Sequence, residues 1–277
     1  MIEERAYAKI NIAMEVNETM SDGYHQVKTI MVPINLYDVL TFEKSENDIV
    51  LLDNTDIKKE DNLVYKAAKL FLETYKIEGG VLISLIKNIP SGAGLGGGSA
   101  DAAACLRGLN QLFELNKPLD ELGQLAVSLG ADVPFCVYSK PAICTGTGIN
   151  VELLNIDVPK WGVFLIKPPF GLSTKEVYAK YHYVEADHEE NFKNILKGFE
   201  TNSLKMVIEN QFNDLENPAV RVDKSLKNLL TNLKAEANAM MTGSGSCIFV
   251  LCKDKNEIMP LFKKYGRYNE CIFTSIH

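Results

Sequence analysis

Five glycines fall within the seven positions from 92 to 98, inside the run PSGAGLGGGSAD at residues 90–101. Glycine gives up more conformational freedom on folding than any other residue, so this density points to backbone that must approach something closely. A phosphate is the natural visitor. Glycines let successive amide N–H groups converge on an anion, and a helix that follows adds the partial positive charge of its N-terminus. Ser99 falls near that helix start, with a hydroxyl able to face phosphate or a metal ion. Gly92, Gly94 and Gly97 also satisfy GxGxxG, but the dinucleotide pattern belongs to a first βαβ unit with an acidic residue about 20 positions on, and here several β-like runs and a helix come first. No lysine precedes Ser99, so the Walker A pattern fails, and no HRD or DFG follows as a protein kinase would require. A glycine-rich turn with no ligand is the remaining alternative.

Four further segments hold groups that could do chemistry. Asp132, in Gly130-Ala131-Asp132-Val133-Pro134, could present a carboxylate to a cleft or simply serve as a helix-terminus turn residue. Lys9 sits among apolar and small residues, where an ammonium needs a partner; structural and catalytic pairing are both open. Asp22-Gly23-Tyr24-His25 displays a phenol ring beside an imidazole, a pair able to stack on a nucleobase and read its edge, or only to turn a hairpin. Thr242-Gly243-Ser244-Gly245-Ser246, between two apolar runs, can offer backbone amides to a second anion.

In this order the segments resemble the GHMP kinase superfamily, whose three motifs correspond to AYAKINI at 6–12, PSGAGLGGGSADAAA at 90–104 and MTGSGSCIFV at 241–250. The correspondence spans nearly the whole chain. Within the superfamily, DGYH at 22–25, LGADVPF at 129–135 and GLST at 171–174 look like the branch whose acceptor carries a cytidine diphosphate group, in non-mevalonate isoprenoid synthesis. The resemblance implies an α+β, two-lobed fold: an N-terminal lobe with a mixed sheet and the glycine loop before a helix, and a C-terminal lobe with an antiparallel sheet and helices. It implies that Lys9 and Asp132 flank the acceptor hydroxyl. It implies that Pro90, Gly92, Ala93, Gly94, Leu95, Gly96, Gly97, Gly98 and Ser99 cradle ATP. Tyr24 and His25 would hold the cytosine, with Tyr178 stacking opposite Tyr24, and Asn11 and Thr174 would complete the pocket. Gly243, Ser244 and Gly245 would lie at its substrate and phosphate end.

The implied reaction passes the ATP γ-phosphoryl group to a tertiary alcohol, the C2 hydroxyl of a methylerythritol unit. Mg²⁺ is expected with ATP, and Ser99 is the candidate ligand. Asp132 would accept the hydroxyl proton or chiefly orient the hydroxyl while Lys9 offsets charge. Alternatives are a mevalonate-, homoserine- or sugar-type GHMP kinase, and a non-catalytic nucleotide-binding relative. The chain departs from the pattern at Tyr7, where proline is usual, at Ala100, where a second serine is common, and at Ile149, where a glutamate often stands.

These groups need elements to position them. Alternation through Tyr7 to Val16, with Ile10, Ile12 and Met14 in step, predicts a half-buried strand. Thr29 to Leu36 and Val39 to Phe42 read as two further strands separated by a turn at Tyr37-Asp38. Asn62 is a plausible N-cap for a helix carrying Leu63, Ala67, Leu70 and Phe71. Val81 to Ile86 is β-like, and a helix with Ala102, Leu106, Leu109 and Phe113 inward follows the glycine loop. Pro118 opens another helix that ends at Gly130. After β-like runs near Ile143 and Val151 to Leu154, Asp157-Val158-Pro159 divides the chain into residues 1–156 and 157–277, with the site in the cleft between them. The second part is expected to run from a strand at Gly162 to Ile166, through an acidic loop at His182 to Asn191 and two or three helices, to a strand at Cys247 to Leu251, a helix and a strand.

Bulk properties fit this reading. The 277 residues carry 46% hydrophobic and 23% charged side chains, enough to bury a large core. The net charge is -7 and the basic residues are scattered, so no nucleic-acid grip is expected. The opening MIEERAYAKINIAMEV lacks the basic-then-apolar order of a secretory signal, and no run suits a membrane helix. Six cysteines make no CxxC pair and four histidines no HExxH, which favours buried thiols in a reducing cytoplasm over disulfides or zinc. A monomer or weak homodimer is expected.

Overall fold

The computed structural model describes residues 1–20, 23–53, 55 and 57–277. Asp22 of the Asp-Gly-Tyr-His segment lies outside them. Two long strands open the chain, β1 (Ile2–Thr19) and β2 (His25–Ser45), paired antiparallel. Then come β3 (Ile49–Asp53), α1 (Leu63–Tyr75), β4 (Gly80–Ile86), α2 (Gly97–Leu112), α3 (Leu119–Ala126), α4 (Val133–Tyr138), β5 (Ala142–Gly146) and β6 (Asn150–Leu153). The remainder comprises β7 (Gly162–Lys167), α5 (Thr174–Ala179), α6 (Glu189–Glu200), α7 (Leu204–Asn210), β8 (Phe212–Asn213), α8 (Glu216–Val222), α9 (Lys224–Glu236), β9 (Ala239–Met241), β10 (Ile248–Cys252), α10 (Lys255–Tyr265) and β11 (Glu270–Ser275).

The first sheet is mixed, in the order β3-β4-β2-β1-β8, with β5 on the early half of β2 and β6 beyond it. The second is antiparallel, in the order β11-β7-β10-β9. One apolar core packs α1, α2, α3 and α4 on the first sheet, around Phe42, Phe71, Leu106 and Phe135. A second joins the sheets through Ile10, Ile12, Leu165 and Phe249, and a third lies under α8, α9 and α10. This is the two-lobed α+β architecture the motifs imply. Among the described residues no helix is long and apolar enough to cross a membrane, and all six cysteines are free thiols.

Several local expectations change. The strand pair expected around Tyr37-Asp38 is one continuous strand, because Asp38 is fully buried and accepts hydrogen bonds from the backbone N–H groups of Asn88 and Ile89. A carboxylate so occupied is an anchor for the chain entering the glycine loop, not a solvent-facing turn residue. Met14 is not in step with Ile10 and Ile12. A register shift between Asn11 and Ala13 moves it to the opposite face, as one extra residue in a strand must. Within the acidic stretch, residues 189–191 are helical: Glu189 and Glu190 form the first turn of α6, where negative charge suits the helix dipole. Four helices, not two or three, separate that stretch from β9, and the short β3 and β8 were not anticipated.

Candidate active site

The glycine loop earns its composition by conformation and by crowding. Gly92, Gly94 and Gly96 all have positive φ, at 62°, 73° and 71°, alternating with Ala93 and Leu95. This alternation turns neighbouring N–H groups to one side and forms an anion-binding concavity. A Cβ on Gly94 would stand 2.4 Å from the Thr242 carbonyl oxygen, so the two glycine-rich loops dock through backbone at this point. Gly96 caps α2, and a Cβ there would press on the Lys9 stem at 3.1 Å. Gly97, Gly98 and Ser99 follow as the first turn of α2, their N–H groups at the positive end of a 16-residue helix.

Lys9 threads beneath this loop. Its backbone N–H donates to the Leu95 carbonyl at 3.0 Å. Register shifts lie on both sides of the Lys9–Asn11 stretch, between Tyr7 and Lys9 and between Asn11 and Ala13. Lys9 and Asn11 therefore share the cleft side while Ala8, Ile10 and Ile12 face the core. The buried ammonium donates to Asn11 Oδ1 at 2.8 Å and lies 3.4 Å from Asp132 Oδ2. Asn11 is itself fixed: its amide donates to Thr29 Oγ1 at 2.9 Å, its Oδ1 accepts from Thr242 Oγ1 at 3.2 Å, and its backbone N–H donates to Thr242 Oγ1 at 3.1 Å. Low-dielectric networks of this kind hold a charge in one place when every member is satisfied.

Asp132 occupies the N-cap position of α4, but its side chain caps nothing. The helix opens with proline in its first turn, where a missing N–H costs nothing. A 36% exposed carboxylate without capping duty, 3.4 Å from a buried ammonium, has room for a hydroxyl to join the pair.

At the other end of the cleft, His25 Nδ1 lies 3.0 Å from the Asn17 carbonyl oxygen and Nε2 lies 3.4 Å from Thr19 Oγ1. A carbonyl can only accept, so Nδ1 carries the hydrogen. The imidazole packs against the Tyr178 ring, centroids 5.4 Å apart, and edge-on to Tyr181 at 5.3 Å. Tyr24 beside it is 65% exposed. Burial, and behind it the Asp132 charge, raise the Tyr178 phenol above its ordinary pKa, so this ring stays neutral. Thr174 Oγ1 and Ser244 Oγ share a hydrogen bond of 2.9 Å that ties α5 to the 242–246 loop. Gly243, with φ 55°, packs 3.3 Å (measured from a hypothetical Cβ) from both Asn11 Oδ1 and Lys9 Nζ.

These residues line one cleft of about 1060 Å³, with Lys9, Asp132 and the glycine loop in its middle. Every candidate drawn from the sequence borders it except Gly245, where a Cβ would meet Met241 and Leu172. Lys87, Thr29, Met14 and Lys175 also border it and were not anticipated. The three departures stay outside the lining. Tyr7 stacks on His277 at 3.8 Å, Ala100 is core, and Ile149 sits in the turn after β5.

Close packing behind the first turn of α2 makes a direct test possible. A Cβ on Gly97 would meet Ile89 at 3.0 Å and Lys87 Nζ at 3.3 Å, so a larger side chain there must displace these neighbours or the first turn of α2 that carries the cradle's N–H groups. Gly97→Val is expected to raise the KM for ATP roughly tenfold, about 1.4 kcal/mol of lost phosphate contact. ATP saturation kinetics, with a thermal melt to confirm folding, would measure it, and an unchanged KM would remove the loop from the nucleotide site.

Comparison with known proteins shows the family. A family model described as the GHMP kinases N terminal domain matches residues 62–140, and one described as GHMP kinases C terminal matches residues 192–265. A 4-diphosphocytidyl-2-C-methyl-D-erythritol kinase of Clostridium beijerinckii is 41% identical over 254 residues, 90% of each chain. A Staphylococcus aureus protein named as putatively the same kinase is 37% identical over 98% of this chain and 96% of its own. Among solved structures, a 4-(cytidine 5'-diphospho)-2C-methyl-D-erythritol kinase superposes with a TM-score of 0.82 at 30% identity, covering 99% of both chains. Homoserine kinase from Cytophaga hutchinsonii, at 20% identity and a TM-score of 0.77 over 100% of this chain and 94% of its own, shares the fold. The chain belongs to the GHMP kinases, ATP-dependent enzymes that phosphorylate small molecules.

Proposed function

We propose that the chain transfers the γ-phosphoryl group of ATP to the 2-hydroxyl of 4-diphosphocytidyl-2-C-methyl-D-erythritol, giving the 2-phosphate and ADP, in isoprenoid precursor synthesis. The observation that carries this reading is the single cleft that has the Lys9–Asp132 pair beside the phosphate cradle and an aromatic and imidazole cluster at its far end. The active site lies between residues 1–156 and 157–277. The high identity to relatives bearing that name points the same way.

Phosphoryl transfer asks a protein mainly for placement and charge compensation. The N–H groups of residues 92–99 hold the polyphosphate against the start of α2. Lys9, fixed by Asn11, sets a positive charge where the transferred group becomes most anionic. Asp132 receives the acceptor hydroxyl between itself and Lys9, orients it and accepts its proton. Thr174, Ser244 and Gly243 border the acceptor between these groups and the base pocket of Tyr24, His25 and Tyr178. A Mg²⁺ ion with the nucleotide fits the one hard oxygen at the cradle: Ser99 would hold it together with the phosphates, and the ion would neutralise phosphate charge. Free thiols throughout suit a reducing cytoplasm.

The deciding experiment is a coupled ADP-release assay over a panel of acceptors. Rapid turnover is expected with the cytidine diphosphate acceptor, and background rates with mevalonate, homoserine, sugars and methylerythritol 4-phosphate. Efficient turnover of a nucleotide-free alcohol would transfer the assignment to another GHMP kinase activity. ATP binding without turnover on any acceptor would mark a non-catalytic relative.

A further inference from the structure

The loop at residues 242–246 is held from behind by one side chain. Asn213, in the two-residue strand β8, is 7% exposed and borders a separate hollow of about 630 Å³ rather than the active-site cleft. Its amide nitrogen donates to the Met241 carbonyl at 2.7 Å and to the Gly243 carbonyl at 2.8 Å, and its Oδ1 accepts from the Leu215 N–H at 2.9 Å. A primary amide has two donors on one nitrogen, and here both go to carbonyls two residues apart. Asn213 is tied in turn to β1, the strand that carries Lys9 and Asn11. It pairs with Met14, and the next N–H, of Asp214, donates to the Met14 carbonyl at 3.0 Å.

Holding the Gly243 carbonyl aims the N–H that shares its peptide. Across a planar trans peptide the carbonyl and the following N–H point in opposite directions. With the Gly243 carbonyl drawn back onto Asn213, the Ser244 N–H turns to the other side, where both residues border the cleft. Ser244 is 9% exposed, yet its N–H donates to no described residue. An unpaired N–H in a residue so buried is rare and points to a ligand.

The neighbours say what kind of ligand. A Cβ on Gly243 would stand 3.3 Å from Lys9 Nζ and 3.3 Å from the Gly94 carbonyl oxygen, so the loop passes between the ammonium and the glycine cradle. The three hydroxyls of the loop are engaged within the protein, Thr242 with Asn11, Ser244 with Thr174 and Ser246 with the Phe170 carbonyl. What it offers a ligand is therefore backbone N–H, which suits an anionic oxygen held against Lys9.

We propose that Asn213 is a positioning residue for phosphoryl transfer: by anchoring the Met241 and Gly243 carbonyls it aims the Ser244 N–H at an oxygen of the phosphoryl group in transit, alongside Lys9. The role rests on phosphoryl transfer taking place in this cleft. A backbone donor fixed where charge develops lowers the barrier without tightening the ground state, so the effect of Asn213 falls on kcat rather than on KM.

The test combines kinetics with the amide signals of the folded enzyme. Asn213→Asp keeps the shape and an acceptor for Leu215, but an ionised carboxylate cannot donate to two carbonyls. Its kcat is expected to fall roughly ten- to a hundredfold, the scale of a lost donor to developing charge, with the KM of ATP and of acceptor within about twofold. Asn213→Ala, which introduces no buried charge, should behave alike. In parallel, ADP, Mg²⁺ and tetrafluoroaluminate with the cytidine acceptor mimic the phosphoryl group in transit. In the parent this mixture should move the Ser244 amide proton downfield together with the amides of residues 92–98, and in the variants the Ser244 response should be lost while the cradle response persists. Parent-like kcat in a folded variant overturns the proposal, and so does a slow variant whose Ser244 amide still responds. A parent cradle that responds while Ser244 does not overturns it and leaves the nucleotide site standing. A cradle that does not respond removes the kinase site from this cleft, and the proposal with it. If neither variant folds, the parent decides: a Ser244 response together with scalar coupling across the Asn213–Gly243 hydrogen bond supports the proposal, and the absence of either overturns it.

Discussion

Replacing Asp132 by asparagine is expected to lower kcat by about two decades or more while the KM values of ATP and acceptor change little. The substitution keeps the shape of a side chain that caps no helix and is 36% exposed; the buried Lys9 ammonium loses its carboxylate partner but keeps its hydrogen bond to Asn11, so the fold should hold with some loss of stability. What disappears is the negative charge that takes the hydroxyl proton. Lys9→Met should cost turnover similarly. Methionine fills the channel against Gly96 that the lysine stem now occupies, and Asn11 Oδ1 keeps its hydrogen bond from Thr242. Removing an ammonium from a buried ion pair usually strands a charge, but this partner carboxylate reaches solvent.

The two groups act on one hydroxyl, so their effects should not add. The Lys9→Met, Asp132→Asn double variant is expected within about tenfold of the slower single variant. Single-turnover rates at saturating ATP and acceptor would measure this. Near-normal turnover in both single variants would make the pair structural.

The parts of the site that were legible in the sequence are those where chemistry restricts residue type. Clustered glycines, a lysine among apolar neighbours and an aspartate before a proline are costly choices, and they stood out locally. The groups that support them did not. Asn11 is held by Thr29, 18 residues away, and by Thr242, 231 away, and neither threonine differs by type from a surface one. Tyr37-Asp38 reads as a turn because aspartate favours turns. Its actual partners arrive from Asn88 and Ile89, 50 and 51 positions later. Met14 left the phase of Ile10 and Ile12 through a bulge, which no two-residue period reveals. The short elements α4, α7, α8, β3 and β8 are held by tertiary packing rather than by propensity over a readable window.

His25→Ala and Tyr24→Ala are each expected to weaken acceptor binding by about 1 to 3 kcal/mol, the range for a base-stacking contact, with little effect on ATP. The prediction rests on where the imidazole hydrogen goes. Because the Asn17 carbonyl fixes it on Nδ1, Nε2 carries a lone pair whenever the ring is neutral, 3.4 Å from Thr19 Oγ1 on a ring that borders the cleft. A lone pair suits the exocyclic amino group of cytosine and opposes the carbonyl that uracil carries at the same position. The parent should therefore prefer the cytidine acceptor to its uridine analogue by roughly the 1 to 3 kcal/mol of one good base contact, and His25→Ala should erase most of that preference. Tyr24→Ala should weaken both acceptors alike, because stacking is indifferent to the edge. Binding energy from the base places a hydroxyl at the far end of the molecule, so an acceptor without the nucleotide should lose kcat as well as affinity. Competition kinetics with paired cytidine and uridine acceptors separate the two roles. Equal use of both bases by the parent would show that His25 does not read the edge, and parent-like behaviour of both alanine variants would take the base out of this pocket.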